Sequence, residues 1–95
     1  MVVGVLKIDL YINKVFSLKD KRHIIKSIIE RIRAKYKISI AEIDQNDKWN
    51  NSVIGVSLVS NGKDVVERMI DLIINFIEKD GRTDIINIER EIIYF

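Results

Sequence analysis

From Val2 to Ile12 the chain alternates. Val2, Leu6, Ile8, Leu10 and Ile12 share one face with Gly4, while Val3, Val5, Lys7, Asp9 and Tyr11 share the other. A period of two predicts a strand with one face in a core and a mixed second face. The period then lengthens. Leu18, Ile25, Ile28, Ile29, Ile32 and Tyr36 fall on one stripe at about 100° per residue, predicting a helix that ends near Tyr36. Ser17, with Asp20 three residues on, reads as its N-cap in a variant of the capping box. Ile38–Asp44 predicts a second strand. Ile38 and Ile40 point one way and Ala41 and Ile43 the other, the mark of a bulge or an edge position.

Gln45–Asn51 is the clearest loop. Val53–Val59 predicts a third strand with Ile54, Val56 and Leu58 inward. Asn61, with Asp64 three residues on, is the expected cap of a second helix, and Gly81 the left-handed residue after its end. Thr83–Tyr94 closes as a fourth strand, with Ile86, Ile88 and Ile92 as the expected inward set. Two helices, each between strands and separated by a central hairpin, give an α+β ferredoxin-like plan, β-α-β-β-α-β. Right-handed crossovers place the antiparallel strands in the order 4-1-3-2 with both helices on one face. The loops Asn13–Phe16, Gln45–Asn51 and Asp80–Arg82 then gather at one end, beside the start of the first helix.

The 95 residues, 47% of them hydrophobic, are expected to form a single domain over 1–95 with a core of its own. Cysteine is absent, which excludes a disulfide framework, a thiolate metal site and a thiol nucleophile, and fits a cytoplasmic protein. Lys7 and Asp9 interrupt the apolar start, so it is not read as a signal peptide. With no apolar run near the ~20 residues that span a bilayer, no membrane partner is expected. The net charge is only +2, but it is unevenly spread: Met1–Lys37 holds ten Lys/Arg against three acids, and Ile38–Phe95 six against eleven. That asymmetry suggests an anionic partner or head-to-tail self-association.

Particular residues sharpen the picture. Ser17–Arg22 (Ser-Leu-Lys-Asp-Lys-Arg), Ala41-Glu42, Asp47-Lys-Trp49, Val53-Ile-Gly55 and Ile88-Glu-Arg-Glu-Ile92 together resemble the small YlxP-like bacterial proteins, a family of unknown function, over essentially the whole chain. The resemblance implies a ferredoxin-like fold and a gene neighbourhood of translation and ribosome-maturation genes, near ribosome-binding factor A. It implies no catalytic residues.

The remaining chemistry-bearing residues read more simply as structure. His23 lies off the apolar stripe without a metal or triad partner in sequence reach. Asp44, Asn46 and Asp47 could offer oxygen ligands to a hard cation, but calcium-loop spacing fails and turn chemistry accounts for them. Glu89 and Glu91 flank Arg90 on an expected edge strand, where salt bridging is the simpler reading than an acid pair. The third strand has no aromatics of the kind that stack bases in RNA-recognition motifs. Asn13–Phe16 lacks the Gly-rich loop and Arg of an acylphosphatase. No enzyme, cofactor or metal is therefore expected.

Two surfaces ask for partners. Lys19, Arg22, Lys26 and Arg33 lie within about 60° on the first helix, crossed only by Glu30, a candidate RNA-binding flank. Beside the helix start, Lys14, Ser17, Lys48 and Arg82 form a candidate anion site, with Ser17 as a plain cap the more economical account of that residue. The second helix carries apolar residues over about 200° of its circumference, more than a sheet needs. With the helix-free sheet face this gives a candidate dimer interface at Val3, Val5, Tyr11, Val53, Val59 and Ile74. The expected function is a non-enzymatic accessory domain associated with RNA or ribosomal particles, as a homodimer. The alternative is a protein-protein or small-ligand module that uses the helix-free face.

Overall fold

A computed structural model describes residues 1–95. Alternation makes β1 (Val2–Ile12) the spine of the sheet, because Leu6, Ile8 and Leu10 are fully buried beneath the helices. It pairs antiparallel with β3 (Asn51–Ser60) on one side and β4 (Thr83–Tyr94) on the other, and β2 (Ser39–Asp44) pairs outside β3. The order β2-β3-β1-β4 is the expected 4-1-3-2 read from the other side. The helices α1 (Leu18–Lys35) and α2 (Lys63–Asp80) cover one face and give a ferredoxin-like domain.

Each helix sinks a narrow stripe into the core. Ile25, Ile28 and Ile32 of α1 and Val66, Ile70, Ile73 and Ile77 of α2 are buried against the inward residues of β1 and β3. Ser17 caps α1, its Oγ accepting from the Asp20 amide at 3.1 Å. At Gly4 the sheet lets α2 come close: a Cβ built there would lie 2.5 Å from Val66 Cγ1. Gly81 ends α2 at φ 77° in the left-handed region, as expected.

Three expectations need correction. Asn61 does not cap α2. The helix starts one residue later than that reading needs, Gly62 holds the cap position without a side-chain bond, and Ser60 Oγ accepts from the Gly62 amide. Ile86 does not face inward. Asp9 pairs with Asn87 and Leu10 with Ile85, so Ile86 is the extra residue of a bulge and stands exposed, while Ile85 joins Ile88 and Ile92 against the core. The third strand begins at Asn51, two residues before its expected start. Of the bulge or edge position expected for β2, both are present. Glu42 pairs with Ile54 and Asp44 with Val53, which leaves Ile43 between them with its side chain over Gly55 on the helix-free face.

Candidate functional site

The basic flank follows from the wheel of α1. Lys21, Ile25, Ile28 and Ile32 face the core, so Lys19, Arg22 and Lys26 lie on the solvent side and all three are exposed. Lys19 and Arg22 reach no acid, and Lys26 has only Glu30, at 3.9 Å with both side chains well solvated. Such a pair contributes a few tenths of a kcal/mol and leaves the flank cationic. Arg33 differs, because its Nη2 donates to the Ile40 carbonyl at 2.8 Å. That bond ties α1 to the outer strand β2, so Arg33 is partly structural. His23 is exposed beside Lys26 and Ser27 in a shallow surface hollow.

The loops do gather at the end where β1 finishes, but they do not build the expected anion site. Lys14 and Arg82 share a cleft with Asn13, Ile24 and Gly81, whereas Lys48 lines a separate one with Asp9, Asn51 and Ile86. Arg82 is not free for a ligand. It grips Asp80 through Nε and Nη2 at 2.8 and 2.9 Å and donates from Nη2 to Ser27 Oγ at 3.1 Å. Arg31 adds a third contact to the same carboxylate at 3.1 Å. The Arg82 hydrogen bonds hold the Asp80 carboxyl below its ordinary value and, reciprocally, raise that of Arg82. Ser17 is committed to the helix cap. Asp44, a candidate cation ligand by its side chain, accepts from the Gln45 amide at 2.8 Å, and Gln45 sits at φ 62°. That is turn chemistry.

One polar cluster has no motif in the sequence to mark it. Lys21 is fully buried. Its Nζ lies 2.6 Å from Glu42 Oε2 and donates to the Gln45 carbonyl at 2.8 Å, while Ser52 Oγ donates to the same Glu42 oxygen at 2.6 Å. The Lys21–Glu42 pair, with Ser52 on Glu42, thus pins α1, β2, β3 and the Gln45–Asn51 loop to one another. The available signal was position: Lys21 falls four residues before Ile25 and seven before Ile28, on the buried stripe.

The helix-free sheet face is mixed. Val5, Val59 and Ile93 are exposed at one end and Tyr11, Ile43 and Ile86 toward the other, with Lys7 bridged to Glu89 at 3.7 Å between them. Of the proposed interface residues, Val5, Tyr11 and Val59 are exposed and Val3 and Ile74 half-buried. Val53 is withdrawn from the set, since only 6% of it is accessible in the cleft lined by Gln45, Lys48 and Ile86. Much of the apolar surplus of α2 is absorbed within the domain. Met69, Ile74 and Phe76 pack on the core, and Arg31 lies 5.4 Å above the Phe76 ring. No helix is long and apolar enough to cross a membrane.

The sequence profile of the family described as "Protein of unknown function (DUF503)" matches residues 3–90. The chain is 30% identical over 76 residues to "Uncharacterized protein YlxP" of Bacillus subtilis (strain 168), which covers 80% of this chain and 83% of that protein. Among solved structures it resembles a de novo designed protein with ferredoxin fold, LFR1 1, at TM-score 0.60 and 14% identity, covering 100% of this chain and 88% of that one. It also resembles the designed protein Foldit4, at TM-score 0.57 and 17% identity, covering 100% and 99% of the two chains. At these identities the structural likeness speaks for the fold alone.

Proposed function

The chain belongs to the DUF503 family of proteins of unknown function, and on that premise we propose that it is a non-enzymatic accessory domain that docks on RNA, free or within ribosomal particles, through the basic flank of α1. The observation that carries this reading is that Lys19 and Arg22 are exposed without an acidic partner and Lys26 with only a loose one. Unpaired cations spaced along a rigid helix can follow a phosphate backbone, where they position a strand without reading its bases. The ionisable groups held most tightly, Lys21 with Glu42 and Arg82 with Asp80, are spent on each other, consistent with a binding rather than a catalytic role. The exposed Val5, Val59 and Ile93 support a homodimer through the helix-free face. The same residues favour the second reading, a protein-protein or small-ligand module without a nucleic-acid role.

The test is salt-dependent binding of a short RNA, followed by fluorescence anisotropy. Because Arg33 also serves the fold, the variant is the triple reversal of Lys19, Arg22 and Lys26 to Glu. It should keep its circular dichroism spectrum and lose RNA binding, while Lys26→Ala alone should lower the salt slope by about one. Binding that survives the triple reversal unchanged makes the flank a solvated helix face and hands the role to the sheet.

A further inference from the structure

Phe16 stands at the position before the N-cap of α1, where an apolar residue ordinarily folds back to pack on the fourth residue of the helix. Here that fourth residue is Lys21, whose ammonium turns inward to Glu42 and the Gln45 carbonyl. Phe16 is left without that partner and is 89% accessible. The next loop at the same end carries Trp49, the only tryptophan, 48% accessible, and Tyr11 at the end of β1 is 40% accessible. The two loops are held at this end by Lys21, which reaches the Gln45 carbonyl from the first turns of α1, and by the Ile12 amide, which donates to the Asn50 carbonyl at 2.9 Å. Aromatic rings of this size are normally buried or in contact with something, since each carries a large apolar area.

Charge narrows the occupant. Lys14, Lys19 and Lys48 are exposed on the loops and helix start that carry these rings, and Arg22 and Lys26 continue the positive surface along α1. Asp20 and Asp47 are exposed among them and Asp44 is tied to the Gln45 amide. The charge of these segments is therefore near balance, and the surplus positive charge lies on the flank beyond. A polyanion held by phosphate contacts alone would favour the flank. A ligand with both phosphates and flat apolar faces fits the combination, with backbone on the flank and faces on the rings.

We propose that Phe16 and Trp49 form a stacking platform for unpaired bases, so that the nucleic acid bound is single-stranded. This rests on the reading of the basic flank and specifies its substrate. In a duplex the base faces are already stacked on one another, so only an open strand can offer them to these rings.

The experiment compares a fluorescently labelled 12-nucleotide oligouridylate with a 12-base-pair RNA duplex, against wild type, Phe16→Ala, Trp49→Ala and the triple flank reversal. Both rings are exposed, so the alanine variants should keep the wild-type circular dichroism spectrum. The expected result is that the wild type prefers the single strand, that Trp49 fluorescence is quenched on binding, and that each alanine variant loses about tenfold in affinity for the single strand with no change for the duplex. Equal affinity for strand and duplex, with both alanine variants unchanged and the triple reversal defective, overturns the platform and leaves the flank reading standing. Loss in the alanine variants with the triple reversal unaffected does the reverse. No binding of either RNA by the wild type ends both.

Discussion

Lys21 carries a charge into a place that a sequence reader gives to isoleucine. On the wheel it belongs with Ile25, Ile28 and Ile32, yet a lone lysine in a basic stretch is ordinarily read as solvated. What makes it tolerable is supplied from elsewhere: a carboxylate on β2 and a carbonyl twenty-four residues away in the chain. Single-sequence reasoning sees the apolar stripe but not the acceptors that the loop brings back to it. Asp80 raises the same difficulty, since Arg82 is two residues on and readable while Arg31 and Ser27 are not. Here a pH dependence follows. The folded-state pKa of Asp80 is depressed, so its ionised form contributes stability above the ordinary carboxylate value, and that contribution is lost as pH falls through the folded value. Asp80→Asn keeps the shape and removes the charge, so it should cost about 1.5–3 kcal/mol at pH 7. The gap from wild type should begin to narrow below the ordinary carboxylate value, roughly pH 4, and go on shrinking as the pH falls further. Urea unfolding at pH 7 and pH 3 measures it; a gap of the same size at both would show that the ion pair is not the origin.

At the scale of elements, what the alternation predicted and what it missed have one physical source. β1 is regular because it is paired on both sides and buried on one face, so its period of two survives intact in the sequence. β4 is an edge strand, and its polar and apolar residues do not by themselves mark the one-residue slip at Ile86. Before the slip Ile85 meets Leu10, and after it Asn87 meets Asp9. A strict alternation drawn through Ile86, Ile88 and Ile92 therefore gets one residue wrong and two right. Asn61 failed as a cap for a related reason. Several polar residues precede α2, and only the backbone decides that Gly62 is the last extended one. Gly4 shows the opposite case, a residue whose role appears only through packing. Gly4→Ala would press a methyl group against Val66 Cγ1 and should lower stability by about 1–3 kcal/mol. Val66→Ala should then cost less in the Gly4→Ala background than in wild type, because it opens the space the methyl needs. Thermal unfolding of the four proteins checks both. A neutral Gly4→Ala would mean that α2 can lift off the sheet at no cost.

For the whole molecule, the strand order and the shared helical face were readable because they follow from handedness and alternation, whereas the surface was not. The expected anion site dissolved once Arg82 met Asp80, and the apolar surplus of α2 proved to be largely internal. What stays outward on the sheet is a patch around Val5, Val59 and Ile93, which gives the proposed homodimer its test. Wild type should sediment as a dimer at tens of micromolar, and Val59→Lys, at a position 65% accessible, should sediment as a monomer with the same secondary structure. A wild-type monomer would leave that patch to another partner.

The position of β1 between β3 and β4 also sets an order in time. During synthesis β1 emerges first, but its second neighbour is the last strand of the domain, some seventy residues later by the Ile12–Thr83 pairing. Until then one long edge of β1, with Leu6, Ile8 and Leu10 on its inner face, has backbone donors and acceptors with no strand to satisfy them. The nascent chain can form α1, the β2–β3 hairpin and the β1–β3 ladder, and must wait with that edge open. Another nascent chain on a crowded message could enter the vacancy that β4 is meant to fill, so the protein's exposure to misassembly is concentrated in the interval before Thr83–Tyr94 clears the exit tunnel.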